Sequence, residues 1–183
     1  MTPPATARYV ALFRGINVGK AKRIAMADLR AILEKLGYTG VRTLLNSGNA
    51  VFSAASGDCA GMAADIRAVV ARKLGVDALV IVKSATDIAA IVRGNALVEV
   101  AEDHSRLLVA LTNDAPAIAA LKKFAAKPWG EERVHVNKHA AYLWCANGIL
   151  ESKAATALLG ELHDRGTTRN WATLNKIHAS MSE

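Results

Sequence analysis

The chain has 183 residues, of which 52% are hydrophobic and 21% charged, with a formal net charge of +7 at neutral pH. That composition supports one ordinary domain or two small ones with a buried core, and it excludes wholesale disorder. No apolar run approaches the roughly 18–20 residues that cross a bilayer, so no membrane partner is expected. Residues 1–7 (MTPPATA) lack the cationic and apolar blocks of a secretory leader. Cys59 and Cys145 are too few for a disulfide scaffold. Together these features point to a cytoplasmic protein with reduced thiols. The charge is uneven: residues 1–53 carry +6, residues 54–105 carry −2 and residues 106–183 carry +3. Between Arg8 and Arg23 there are five basic residues and no acid. Such an end attracts anions, and it also keeps a small protein soluble.

The elements follow in order. Residues 8–16 (RYVALFRGI) alternate Tyr9, Ala11 and Phe13 against Val10, Leu12 and Arg14, which predicts a strand. After a polar loop over 17–23, Met26, Leu29, Ile32, Leu33 and Leu36 recur at helical spacing, and Gly37 supplies the stop. Residues 41–46 and 50–53 predict two strands around a turn at Ser47-Gly48-Asn49. Asp58 can cap a helix bearing Met62, Ile66, Val70 and Leu74, closed by Gly75. Residues 79–83 form a short apolar strand. The order β-α-β-β-α-β is that of a ferredoxin-like motif. Ser84 and Asp87 then resemble a capping box for a further helix with Ile88, Ile91 and Val92 inward.

Residues 94–105 are polar, end in acids and read as a linker between an N-terminal unit over 8–93 and a C-terminal unit over 106–183. The second half repeats the order: a strand over 106–112, a helix opened by Asp114 and Pro116, a hairpin of 133–137 with 141–145, and a helix over 154–164 stopped by Gly166. A last helix, 170–181, carries Trp171, Leu174, Ile177 and Met181 on one stripe. The expected class is therefore α+β, with two related ferredoxin-like β-α-β-β-α units built on antiparallel sheets. The second is expected to lose its last strand and to be closed by the C-terminal helix.

Three segments carry a resemblance. Residues 9–19 read YVALFRGINVG, residues 41–52 read VRTLLNSGNAVF, and residues 166–177 read GTTRNWATLNKI. In this order they resemble the bacterial domain-of-unknown-function 1697 family, whose pattern has LRGINVG, then SGN with an apolar strand, then TxRNWNT. The sequence departs from that pattern at Phe13, where Leu is usual, at Ala172, where Asn is usual, and at Asn95-Ala96-Leu97, which lacks the common Pro. The resemblance implies two related ferredoxin-like parts, and it implies no activity.

Chemistry has few candidate centres. Gly15 to Lys20 lies between a strand and a helix, as a phosphate loop would, but only three residues separate its glycines and Ala21 follows the Lys. That loop needs four residues there and a Ser or Thr hydroxyl for Mg²⁺. Nucleotide hydrolysis is not indicated; contact with some anion is. Residues 167–170 precede the last helical stripe, where Thr168 can act as the cap, free amides favour a negative group, and Arg169 offers a planar donor fork.

Arg14, Asn17, Lys20, Lys22, Ser47, Asn49, Arg169 and Asn170 are therefore the candidate ligand-binding residues, provided the fold gathers them. Ser47 and Asn49 read first as turn residues, and Arg169 first as an internal tie. Histidines 104, 135, 139, 163 and 178 complete no metal-ligand spacing, and neither cysteine sits in a nucleophile signature. No metal or cofactor is expected, and catalytic residues stay unassigned. Two further classes stay open: a nucleic-acid-binding module with Tyr9, Phe13 or Phe52 stacking on bases, and an enzyme whose site is assembled between the two units. The sequence leaves the ligand and the oligomeric state undetermined.

Overall fold

The computed structural model describes residues 5–182. The chain divides into two compact units, one running to Thr86 and including the residues from Ala179 onward, the other spanning Asp87–His178.

The first unit contains β1 (Thr6–Phe13), α1 (Met26–Lys35), β2 (Thr39–Leu44), β3 (Asn49–Ala55), α2 (Cys59–Leu74) and β4 (Val80–Ser84). Its sheet has the order β2-β3-β1-β4 and every neighbouring pair is antiparallel. The register sets Tyr9 opposite Phe52, and Ala11 opposite Ala50 on one side and Val82 on the other. These side chains share one face, because facing residues of paired strands point the same way. That face meets Leu29, Ile32 and Leu33 of α1 and Ala63, Ile66 and Val70 of α2 in a single core. Val10, Leu12, Val51 and Ile81 on the opposite face are buried as well, so β1 is apolar on both sides.

Local signals explain the helix ends. The Asp58 side chain accepts from the amides of Ala60 and Gly61 at the start of α2, and Gly75 closes that helix at φ 67°, in the left-handed region that a Cβ disfavours. Helix α1 starts differently. Ala25 stands at its cap position, and no side chain bonds the first amides there.

The rest of the chain holds α3 (Ala85–Arg93), β5 (Leu107–Thr112), α4 (Ala115–Ala125), β6 (Arg133–Val136), β7 (Ala141–Trp144), α5 (Lys153–Leu162), β8 (Gly166–Asn170) and α6 (Trp171–Met181), all within the second unit but for the first two residues of α3 and the last three of α6. A short 3₁₀ turn, His104–Arg106, leads into β5. The sheet order β6-β7-β5-β8 repeats that of the first unit, again wholly antiparallel. Leu108, Ala110 and Leu143 pack against Ile118, Leu121 and Phe124 of α4 and Leu158 and Leu162 of α5. On the other face the buried Tyr142 hydroxyl donates to the Ile91 carbonyl of α3 at 2.6 Å. The α+β class with two related antiparallel units, the second followed by a C-terminal helix, is thus observed.

The structure corrects three local expectations. The second unit keeps its last strand: residues 166–170 form β8 along β5, with Arg169 opposite Val109, and are not the run-in to a helix. Their polar composition, Gly-Thr-Thr-Arg-Asn, hides a strand from a hydrophobic pattern. The helix before it stops at His163, which adopts φ 48°, and Gly166 serves packing instead. A Cβ on Gly166 would lie 2.8 Å from both the Leu111 carbonyl and a Leu162 methyl. Finally, β1 ends at Phe13, before Gly15 and Asn17 turn to φ 67° and 55°.

The seven positions expected in the core, Leu29, Leu33, Ile66, Ile81, Val109, Leu121 and Trp171, are all buried to 4% exposure or less. Leu33, fully enclosed between α1 and the first sheet, is expected to cost about 2–5 kcal/mol on Leu33→Ala. Urea unfolding checks this; a midpoint that hardly moves contradicts the packing.

Candidate functional site

The loop over 14–25 leaves β1 and enters α1. Its first tie is backbone: the Arg14 amide donates to the Leu79 carbonyl at 2.9 Å. Its second is the side chain of Asn17. The Asn17 Oδ1 accepts from the Ile24 amide at 2.8 Å, and Nδ2 donates back to the Ile24 carbonyl at 2.9 Å. The carboxamide therefore pairs with Ile24 as a neighbouring strand would. Nδ2 donates a second bond, at 2.8 Å, to the Asn46 carbonyl in the β2–β3 turn. The Asn17 amide donates to Lys22, and the residue stands at φ 55°, a conformation that Asn tolerates better than most side chains. An amide side chain offers one acceptor and two donors, which is what these three contacts require.

The turn is closed against the same loop. The Phe13 amide donates to the Gly48 carbonyl at 2.9 Å. Gly48 has φ 84°, and a Cβ there would lie 2.6 Å from the Ile16 side chain and 2.8 Å from that of Phe13. Only glycine meets both demands. Asn49 is fully buried; its Nδ2 donates to the Leu44 carbonyl at 2.8 Å and to Ser47 Oγ at 3.1 Å. Of the candidate residues, Asn17, Ser47 and Asn49 are thus brought together, bonded to neighbouring groups of the protein itself. A second positive φ in this turn falls on Leu45, at 60°, and Asn49 sits at the head of β3.

Lys20, Lys22 and Arg23 are exposed on the loop, and Arg14 is half-buried. A depression of about 390 Å³ opens beside them, lined by Asn17, Arg23, Ile24, Ala25, Met26 and Asn46. It lies at the start of α1, the helix end without a side-chain cap. Unbonded amides and the helix dipole give such an end a positive potential, which Arg23 reinforces. Asp28, in the first turn of α1, is the nearest acid along the chain. Arg23, Ala25 and Asn46 escaped the sequence reading, although the lack of Ser, Thr, Asp or Asn before Met26 was a visible sign of an uncapped helix.

Arg169 and Asn170 belong to the second unit. Arg169 is 8% exposed; its guanidinium donates to Thr167 Oγ1 at 3.0 Å and to the Thr168 carbonyl at 2.8 Å. Burial lowers its pKa to about 10, so it stays charged at neutral pH. The Asn170 Oδ1 accepts from the Thr173 amide at 2.8 Å, which makes Asn170 the cap of α6 in place of Thr168.

Other chemistry is sparse among the described residues. Tyr9, Phe13 and Phe52 are buried, and Phe52 stacks between Tyr9 and Tyr38 with centroid distances of 5.8 and 4.4 Å. These rings are enclosed within the first core and present no face to a nucleobase. Burial pushes the Cys145 thiol up to about 11, so it is no nucleophile at neutral pH. No group of three or more His, Cys, Asp or Glu stands close enough to hold a metal ion, and no helix is long and apolar enough to cross a membrane.

Asn17→Asp keeps the shape but replaces the donating amide nitrogen by an acceptor that faces the carbonyls of Ile24 and Asn46. A loss of about 1–3 kcal/mol in urea unfolding is expected, from two broken bonds and the partly buried Ile24 carbonyl left without its donor, the Asn46 carbonyl being open to water. Unchanged stability contradicts the tie.

No functionally curated protein matches the chain. Among solved structures, that of the conserved bacterial protein SP0830 from Streptococcus pneumoniae superimposes with a TM-score of 0.79 at 23% identity, covering 97% of this chain and 99% of that one. This likeness shows a shared fold. The sequence pattern of the family described as "Protein of unknown function (DUF1697)" matches residues 6–142, from the first strand into the second unit's hairpin, and the chain belongs to that family.

Proposed function

We propose that the first unit binds a small anionic ligand, bearing phosphate or carboxylate, in the depression at the start of α1. The observation that carries this reading is the uncapped helix start with Arg23 on its wall. A helix with Ala25 at its cap leaves its first amides to solvent or to a ligand, and a negative group is the favoured occupant. The loop's own charge agrees: Arg14, Lys20, Lys22 and Arg23 follow one another without an intervening acid, although Asp77 interacts with Lys22. The loop is also fixed in place, because Asn17 holds Ile24 and Asn46 together at the rim. A pre-formed donor set loses little entropy on binding. The reading rests on the first unit alone, and it treats Lys20 and Lys22 as attracting charge and Arg23 with the amides as the direct contacts. Ser47 and Asn49 shape the neighbouring turn.

Base recognition has less support, since Tyr9, Phe13 and Phe52 are buried. Cytoplasmic residence fits the two free thiols, one of them buried.

Ala25→Asp tests the reading because its two effects oppose. A carboxylate at the cap position is expected to stabilise α1 by about 0.5–2 kcal/mol, raising Tm by a few degrees. The same carboxylate occupies the anion position and repels the ligand. Titration calorimetry with inorganic phosphate and pyrophosphate is expected to show saturable binding to the native chain, weakened about tenfold or more by Ala25→Asp and by Arg23→Gln, in line with the worth of a charge-assisted bond. Equal binding by all three proteins overturns the assignment, as does no binding to the native chain at low ionic strength.

A further inference from the structure

A second concave surface lies on the helical side of the first unit and shares no lining residue with the depression described above. Helices α1 and α2 leave between them a groove of about 360 Å³. Its floor is apolar, made by Ile32 and Leu36 at the end of α1 and Val69 and Leu74 on α2. Ile32 is buried, while Leu36, Val69 and Leu74 are only partly covered. The rim carries three cations, Lys35 in the last turn of α1 with Arg72 and Lys73 in the last turn of α2, against one acid, Asp28. All four are exposed. Among the described residues none of the three cations enters an ion pair; the observed pairs join Arg67 to Asp77, Arg106 to Asp103, Lys127 to Glu161 and Arg165 to Asp114.

We propose that this groove binds an amphiphilic monoanion: an aliphatic chain lying on the floor and a carboxylate at the cationic rim. Both halves of the ligand follow from the lining. Partly covered aliphatic side chains gain by removing a hydrocarbon and themselves from water. Flexible Lys and Arg side chains lay their methylene stems along such a chain and bring the charged end to its headgroup. A lone acid on the rim leaves the local balance positive, so a neutral or cationic amphiphile is disfavoured. The size selects a small molecule over a protein segment. The groove stands at the lower end of the roughly 300–1,000 Å³ range of small-ligand sites, whereas a docked helix, about 10 Å across with its side chains, needs a longer trough.

Decanoate is the probe, titrated into the full-length ¹⁵N-labelled chain with amide shifts followed by NMR below its micelle-forming concentration. Saturable shifts clustered on residues 28–36 and 69–74 are expected. Ala31→Trp, which fills the groove from the exposed side of α1, is expected to abolish them. The triple change Lys35→Gln, Arg72→Gln, Lys73→Gln is expected to weaken decanoate at least tenfold and to leave the weaker binding of decanol unchanged. Since the three cations lie on the surface, the triple variant keeps the test valid should Ala31→Trp unfold. Shifts scattered over the molecule, equal affinity in the native and triple-variant chains, or no saturation all overturn the proposal. Binding of an acidic amphipathic peptide to this groove with none of decanoate also overturns it, in favour of a protein contact.

Discussion

The first unit depends on how one side-chain amide is used. The loop between β1 and α1 crosses the end of the sheet without secondary structure, so its backbone groups need partners from elsewhere. Asn17 supplies them. It bonds both polar groups of Ile24 and reaches the Asn46 carbonyl with its remaining proton. One residue thereby joins the loop, the β2–β3 turn and the entry to α1. Gly48 completes the join from the other side, fitting where any Cβ would strike Phe13 and Ile16.

This arrangement gives the family's polar motif residues a physical reason. Asn17, Gly48 and Asn49 complete a backbone network, partly buried at Asn17 and fully buried at Asn49, and such a network is costly when one member fails. Asn170 plays a comparable part at the start of α6. What these ties leave facing solvent is cationic: Lys20, Lys22 and Arg23, beside a helix start without a cap. The stable part of the motif and the part available to a ligand are different residues of one loop.

Much of the fold was legible because its signals are local. Alternation in β1, the 3.6-residue stripe of α1, the Asp58 cap and the Gly75 stop each act within a few positions, and the element order of the first unit followed from them. Strand β8 was not legible. Its five residues contain no large apolar side chain, and their place is set by pairing with β5, 54 to 62 positions earlier, from Asn170 opposite Leu108 to Gly166 opposite Thr112. Strand membership of this sort comes from tertiary context. The site was legible in part for the same reason. The basic loop could be read from charge, but the partners of Asn17 at positions 24 and 46 belong to a contact that only the folded chain makes. Arg169 looked like a ligand fork and is a buried strand residue bonded to Thr167 and Thr168, a distinction that residue type cannot draw.

Amide hydrogen exchange at Ile24 tests the Asn17 tie most directly. That amide has one bonding partner in the structure, Asn17 Oδ1 at 2.8 Å, and it sits in a loop where an unbonded amide exchanges freely. The account predicts slow exchange at Ile24 in the native chain, lost in Asn17→Gly, which removes the side chain while suiting the φ of 55°, with the amides of β1 still protected. Exchange at Ile24 as fast as in an unstructured peptide, or protection that survives Asn17→Gly, contradicts it.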